Sequence, residues 1–308
     1  MGRVFAAYRN HPRHLKSFGK ALNQETLRRW LGLTQAQVSK VGSDTTDEAV
    51  DRLHRATVTL AEAHTQAPAR RVLSEVLRLH GQARELLQGR QRLSQKRELF
   101  RVESALLAHA CLLLGDVKKN DVAERYGLLA LTFANEAGSC SAVARSALAK
   151  TLRWAERLAE SADMAKLGYQ ASPATPIRVQ LASQEANAAA LLGDKSQAHV
   201  ALRRAERAAQ EVDPDSGTSA WSFPTGRQAI FALSVATYTG DPDAALRAAA
   251  TADAGWASGE PMVAANWAQI RVGAGIAYLL KDSLDGVVEE VTPVLDLAPD
   301  LRVSTVTG

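Results

Sequence analysis

At 308 residues, 46% hydrophobic and 23% charged, the chain is long enough for two domains and a sizeable buried core. Aromatics are only 5% and prolines 10, while alanine is abundant; this favours helices packed through small residues over strands, which want β-branched and aromatic side chains. The formal charge of +4 is uneven, since residues 1–70 hold 11 Lys/Arg against 6 Asp/Glu and the remainder therefore carries −1. That is the distribution a nucleic-acid-binding module ahead of a neutral body requires.

Residues 3–9 read as a short helix with Val4, Phe5 and Tyr8 on one side. His11 to Gly19 is a basic loop whose Arg13 and Lys16, with Lys20 just beyond, either lie along phosphates or are simply solvated. The stretch from Gln24 to Val41 reads as two short helices and a tight turn. Leu27, Trp30 and Leu31 keep helical spacing, Gly32 supplies the turn, and Thr34 is a suitable N-cap for the second helix. Val38 and Val41 turn inward, leaving Gln35, Ala36, Gln37, Ser39 and Lys40 outward. Glutamine pairs with adenine, alanine touches a thymine methyl, and serine and lysine reach base edges or phosphates.

On Gln24, Leu27, Leu31-Gly32-Leu33-Thr34 and Val38-Ser39-Lys40-Val41, the stretch resembles the helix-turn-helix of Cro/phage-repressor-type (XRE-family) transcriptional regulators. The resemblance implies that Gln24 touches phosphate, Gln35 and Ala36 read bases, Lys40 reads a base or phosphate, and Ser39 contacts backbone. Arg28 stands where such motifs usually carry alanine, and Gly42 where they commonly carry an acid. An ordinary core hairpin is the bland alternative.

Residues 42–47 are turn and cap chemistry, and a helix is expected from Thr46 or Asp47 to about His64, with Val50, Leu53, Ala56 and Leu60 inside. Pro68 marks a boundary. A long arginine-studded helix over about 70–91 reads as a solvated connector rather than a second DNA site. The domain reading is therefore 1–66 helix-turn-helix, 67–94 connecting helix, and 95–308 helical repeats.

Four turns recur in the last part: Leu114-Gly115-Asp116, Leu192-Gly193-Asp194, Thr239-Gly240-Asp241 and Leu280-Lys281-Asp282. A skipped repeat is placed near Trp154 to Arg157. After Gly193 and Gly240 small residues stand five and twelve places on, at Ala198 and Ala205 and at Ala245 and Ala252; after Gly115 they are displaced. A helix ends on glycine, Asp caps the next, and alanines admit close packing. This resembles a degenerate tetratricopeptide-type (TPR) array, with helices longer or loops inserted relative to that family's repeat. The fold class expected is all-α, a small N-terminal helix-turn-helix bundle followed by a TPR-like α-α superhelix. Residues 213–226 read as an irregular loop whose Trp221 plugs neighbouring helices or lines a ligand mouth. Solenoids shield their last apolar face, and no polar capping helix is evident around Leu301-Arg302-Val303, so either a partner or second subunit is expected to cover this end or residues beyond Gly308 are absent.

Counting back from the turns selects Gln180, Ser183, Asn187, Arg227, Ser234, Arg271 and Tyr278 as an inner groove for an effector, or as a hydrated surface with none. The phosphate-loop, zinc-protease, nucleophile-elbow and kinase patterns do not occur, so no enzyme, cofactor or metal is expected. Two cysteines, Cys111 and Cys140, fit a reducing cytoplasm, and no run approaches a membrane span. Alanine and arginine usage resembles that of high-GC actinobacteria. The resulting reading is a cytoplasmic regulator binding double-stranded DNA as a homodimer, modulated by a peptide, small molecule or protein. A TPR-type scaffold without direct DNA binding is the alternative.

Overall fold

A computed structural model describes residues 46–215 and 217–297. The helix-turn-helix stretch, with Gln24, Thr34, Gln35, Ala36, Gln37, Ser39 and Lys40, lies outside the described residues, as do Arg13 and Lys16. Every described element is helical.

Helix α1 (Asp47–Ala63) begins where Thr46 accepts a hydrogen bond from the Ala49 N–H at 3.2 Å, an N-cap satisfying one orphan donor. It buries Val50, Leu53, Ala56 and Leu60 on one stripe. Helix α2 (Ala69–Gln88) starts straight after Pro68 and buries Val72, Val76, Leu79, Ala83 and Leu86, alternating steps of four and three. Those stripes share one core with Leu99, Val102 and Leu106 of α3 (Leu93–Asp116). The solvated-connector reading of α2 is thereby corrected: Arg70, Arg71 and Arg84 are exposed, but Arg78 is half-buried beside Glu75 and the apolar stripe seals a three-helix bundle.

Five antiparallel hairpins follow, the first formed by α3 and α4 (Asn120–Glu136). The others are α5 (Ala142–Trp154) with α6 (Leu158–Ala171), α7 (Pro176–Leu191) with α8 (Lys195–Gln210), α9 (Thr225–Thr239) with α10 (Pro242–Ala257), and α11 (Ala264–Leu279) with α12 (Leu284–Leu295). The first helices α3, α5, α7, α9 and α11 pack consecutively in one row. Each second helix except the last also packs on the first helix of the next hairpin, so the chain makes a two-row stack.

Each hairpin turn holds one residue in the left-handed region: Lys118, Glu156, Gly193, Gly240 and Asp282. Only two of these are glycines, the residue that reaches positive φ without a Cβ clash. The skipped repeat lies where the spacing places it, since Glu156 turns α5 into α6. Numbered from the left-handed residue, the small-residue pattern becomes regular. Positions five and twelve on are Ala123 and Ala130, Ser161 and Gly168, Ala198 and Ala205, and Ala245 and Ala252, all buried. The apparent displacement after Gly115 arises because α3 runs past it to Asp116 and turns at Lys118. Asp194 and Asp241 cap α8 and α10 as expected, accepting from Gln197 N at 2.9 Å and Ala244 N at 2.8 Å. The last hairpin carries Val287 and Val294 at those two positions, and α12 leaves Leu284, Val288 and Leu295 exposed.

Segment 211–224 is the inserted loop. Its start is exposed, but its end turns inward and places Phe223 against Val179, Ala182, Ala205 and Ala208, with its ring 5.6 Å from Phe231 of α9. Ala220 reaches the core formed by Ala61, Leu107, Ala108, Ala144 and Ala147. Its backbone N–H donates to the Ala61 carbonyl at 2.8 Å, and the Thr65 hydroxyl donates to the Thr218 carbonyl at 2.7 Å. The end of α1 is thus tied to the loop between the third and fourth hairpins.

Candidate functional site

Beside that tie lies a cluster of polar side chains drawn from α1, α3 and α5. His64, at the end of α1, places Nδ1 3.1 Å from His109 Nε2 on α3. The other ring nitrogen of His64 stands 3.7 Å from Asp116 Oδ2, and Asp116 Oδ1 accepts from Lys150 Nζ of α5 at 2.7 Å. Trp221 of the loop stands edge-on to the His109 ring, 6.1 Å between centroids. The neighbours set the tautomers. With its proton on Nε2, toward Asp116, His64 is an acceptor at Nδ1 and His109 donates through Nε2. His109 Nδ1 is then a bare acceptor, buried without a hydrogen-bond partner among the described residues.

Burial keeps both rings neutral. It pushes His64 down to about 3, helped by the positive charges of Lys150 and Arg227, and holds His109 well below the ordinary imidazole range, with His64 adding to the effect. Cys111, against Thr151 Oγ1 at 3.2 Å, is pushed up to about 11 by burial, so its thiol is not a nucleophile near neutral pH. The one carboxylate of the cluster is matched by a lysine. The arrangement joins α1, α3, α5 and the loop through a neutral imidazole pair, one matched ion pair and an aromatic edge contact.

Arg227, at the start of α9, completes the site from the loop side. Its guanidinium donates to the Ser222 carbonyl and, at 3.3 Å, to the Ala220 carbonyl, and it lies over the Phe223 ring. Burial lowers its pKa to about 10, with Asp215 and Asp116 acting the other way. Asp215 accepts from the Gly217 N–H at 2.9 Å and the Phe223 N–H at 2.5 Å, bending the loop back on itself. Arg227 is therefore a strut of the loop rather than a free groove cation.

The remaining groove residues do not form one surface. Asn187 and Ser234 meet, Nδ2 donating to Oγ at 2.6 Å, which joins α7 to α9. Gln180 and Ser183 are buried on α7, and Ser183 returns its hydroxyl to the Val179 carbonyl of its own helix. Arg271 turns to the second row, bonded to Asp253 of α10 at 2.7 Å and Glu290 of α12 at 2.9 Å. Tyr278 packs where Gly286 of α12 leaves no Cβ. The common offset fails because carboxylates and a glycine on second-row helices draw Arg271 and Tyr278 into the seam between rows.

No family model and no curated protein matches the chain. Among the described residues no group of three His, Cys, Asp or Glu side chains is placed to hold a metal ion, and no helix is long and apolar enough to cross a membrane. The His64–His109 pair escapes sequence reading, because partners so far apart in the chain leave no periodic signal, whereas Trp221 plugs neighbouring helices, one of the two roles its loop position allows.

Proposed function

We propose that the protein is a DNA-binding transcriptional regulator whose hairpin stack, a degenerate TPR-like array, adjusts how the head is presented to duplex DNA. The observation that carries this reading is the pattern from Gln24 to Val41, a Gly32 turn and Thr34 cap ahead of outward Gln35, Ala36, Gln37, Ser39 and Lys40, within a basic segment that runs directly into α1. One short recognition helix reads too few base pairs for useful specificity, so the regulator acts as a homodimer on symmetric half-sites.

The geometry of α1 supports the modulation. Its first turn follows the head, and its last turn is bonded to the loop at Ala220 and Thr218 and to α3 through His64. A peptide, small molecule or protein that shifts the loop or the Asn187–Ser234 seam also shifts the helix leading to the head.

Gln35→Ala and Lys40→Ala each weaken binding to the specific operator by about 1–3 kcal/mol if the side chain reads a base. Mobility shifts against the protein's own upstream region measure this, and a double variant that binds like the parent rejects the reading. The second reading, a scaffold without DNA contact, is favoured by the self-contained core of the described hairpins. It requires duplex affinity insensitive to salt, whereas phosphate contacts give a steep dependence.

A further inference from the structure

The α2–α3 turn carries charge that neither the core nor the loop site uses. Residues 84–101 hold six Lys/Arg (Arg84, Arg90, Arg92, Lys96, Arg97 and Arg101) against Glu85 and Glu98, a net +4. Residues 1–46 carry +6, from eight Lys/Arg and two acids, so everything else in the chain nets −6. The two basic segments are distant in the sequence, but the second stands where the first joins the fold.

The packing fixes that adjacency. Gln95, buried in the first turn of α3, accepts from the Arg92 N–H at 3.0 Å and donates to Asp47 Oδ1 at 2.7 Å. Arg92 itself lies 4.0 Å from Asp47. Asp47 is the first residue of α1, so the turn is held one side chain from the point where the head joins. Arg84, Arg90, Lys96 and Arg97 are exposed, and no described carboxylate lies within ion-pair distance of any of them. Within the same segment Arg101 is paired with Glu98 and Arg92 stands beside Asp47, carboxylate partners that these four lack, while Lys96 lies 5.6 Å from the Phe100 ring centroid.

We infer that this turn is a second, sequence-independent contact surface for duplex DNA, its cations meeting the phosphate backbone beside the site read by the head. The inference rests on the regulator reading. Its chemistry is charge complementarity with continuity: cations fixed next to the head's attachment face the polyanion the head engages, and phosphate contacts position without reading bases. The excess of negative charge on the rest of the molecule turns this end toward DNA.

The test uses the full chain carrying Arg90→Ala, Lys96→Ala and Arg97→Ala together, with exposed Arg203→Ala and Arg207→Ala of α8 as a remote control. Binding to operator and to nonspecific duplex is titrated against salt, and circular dichroism verifies folding. The triple variant should lower both affinities alike and make the log affinity–log salt slope shallower by about 0.9 for each phosphate no longer neutralised, up to about 2.7. The ratio of specific to nonspecific binding should hold, and the control should match the parent. A parental slope in the triple variant, with sequence preference still abolished in Gln35→Ala/Lys40→Ala, overturns this surface and leaves the head. A parent with no salt-sensitive duplex affinity overturns both.

Discussion

A histidine pair at 3.1 Å inside a helical stack has a definite consequence for acid tolerance. The unfolded chain titrates both imidazoles near the usual 6.5, while the folded chain refuses the proton until about 3 at His64 and well below 6.5 at His109. The groups facing the pair are Asp116, Lys150 and Arg227, and the two cations reinforce the refusal at His64. Above pH 6.5 both states are neutral and nothing changes; below it the unfolded state binds more protons, so stability falls as pH falls toward 3. The limiting slope is about 1.4 kcal/mol per histidine per pH unit. Glu185 and Glu290 act the other way, since burial raises both. Thermal midpoints measured from pH 7.5 to 4 should therefore drop less in His64→Gln/His109→Gln than in the parent. Parallel curves would show that the pair is not held neutral.

Among the helices, small residues set the spacing, and glycines do so unequally. At Gly273 on α11 an added Cβ would collide with the Leu233 side chain of α9, whereas at Gly81, inside α2, it meets nothing within 4 Å. Gly273→Ala should thus cost about 1–3 kcal/mol by overpacking. Gly81→Ala should gain about 0.5–1 kcal/mol by lowering the freedom of the unfolded chain. Urea unfolding separates the two, and equal effects would discount the close α9–α11 approach. Much of this level is legible from local chemistry: Thr46, Pro68, Asp194 and Asp241 mark helix starts because their side chains or rings act on the nearest backbone groups. At Lys118, Glu156 and Asp282 the repeat spacing marks the neighbourhood of the turn but not the residue that makes it, because a left-handed residue other than glycine has no sequence signature of its own. Arg271 and Tyr278 leave the expected inner groove for a different reason. Helical period gives the direction a side chain leaves its helix, but not that Asp253, Glu290 and the space over Gly286 await it.

For the molecule as a whole, the decisive feature is the tie between Thr65 and Thr218, 153 positions apart. A plain row of hairpins touches only its neighbours and unfolds piecemeal. Here the loop fastens the fourth hairpin's approach to the first bundle, so the array behaves as a closed unit. The parent should unfold in a single sharp transition by fluorescence and circular dichroism together, while Thr65→Val/Trp221→Ala should show a broader, less steep one. Unchanged steepness would mean that the tie carries no cooperativity. The same separation bears on biosynthesis. The alanine- and leucine-lined surface formed by Ala61, Leu107 and Ala108 leaves the ribosome long before the Ala220 that covers it. At about 5–20 residues per second the interval is on the order of ten seconds, during which a nascent chain carries an uncovered apolar patch and is a natural client for a chaperone.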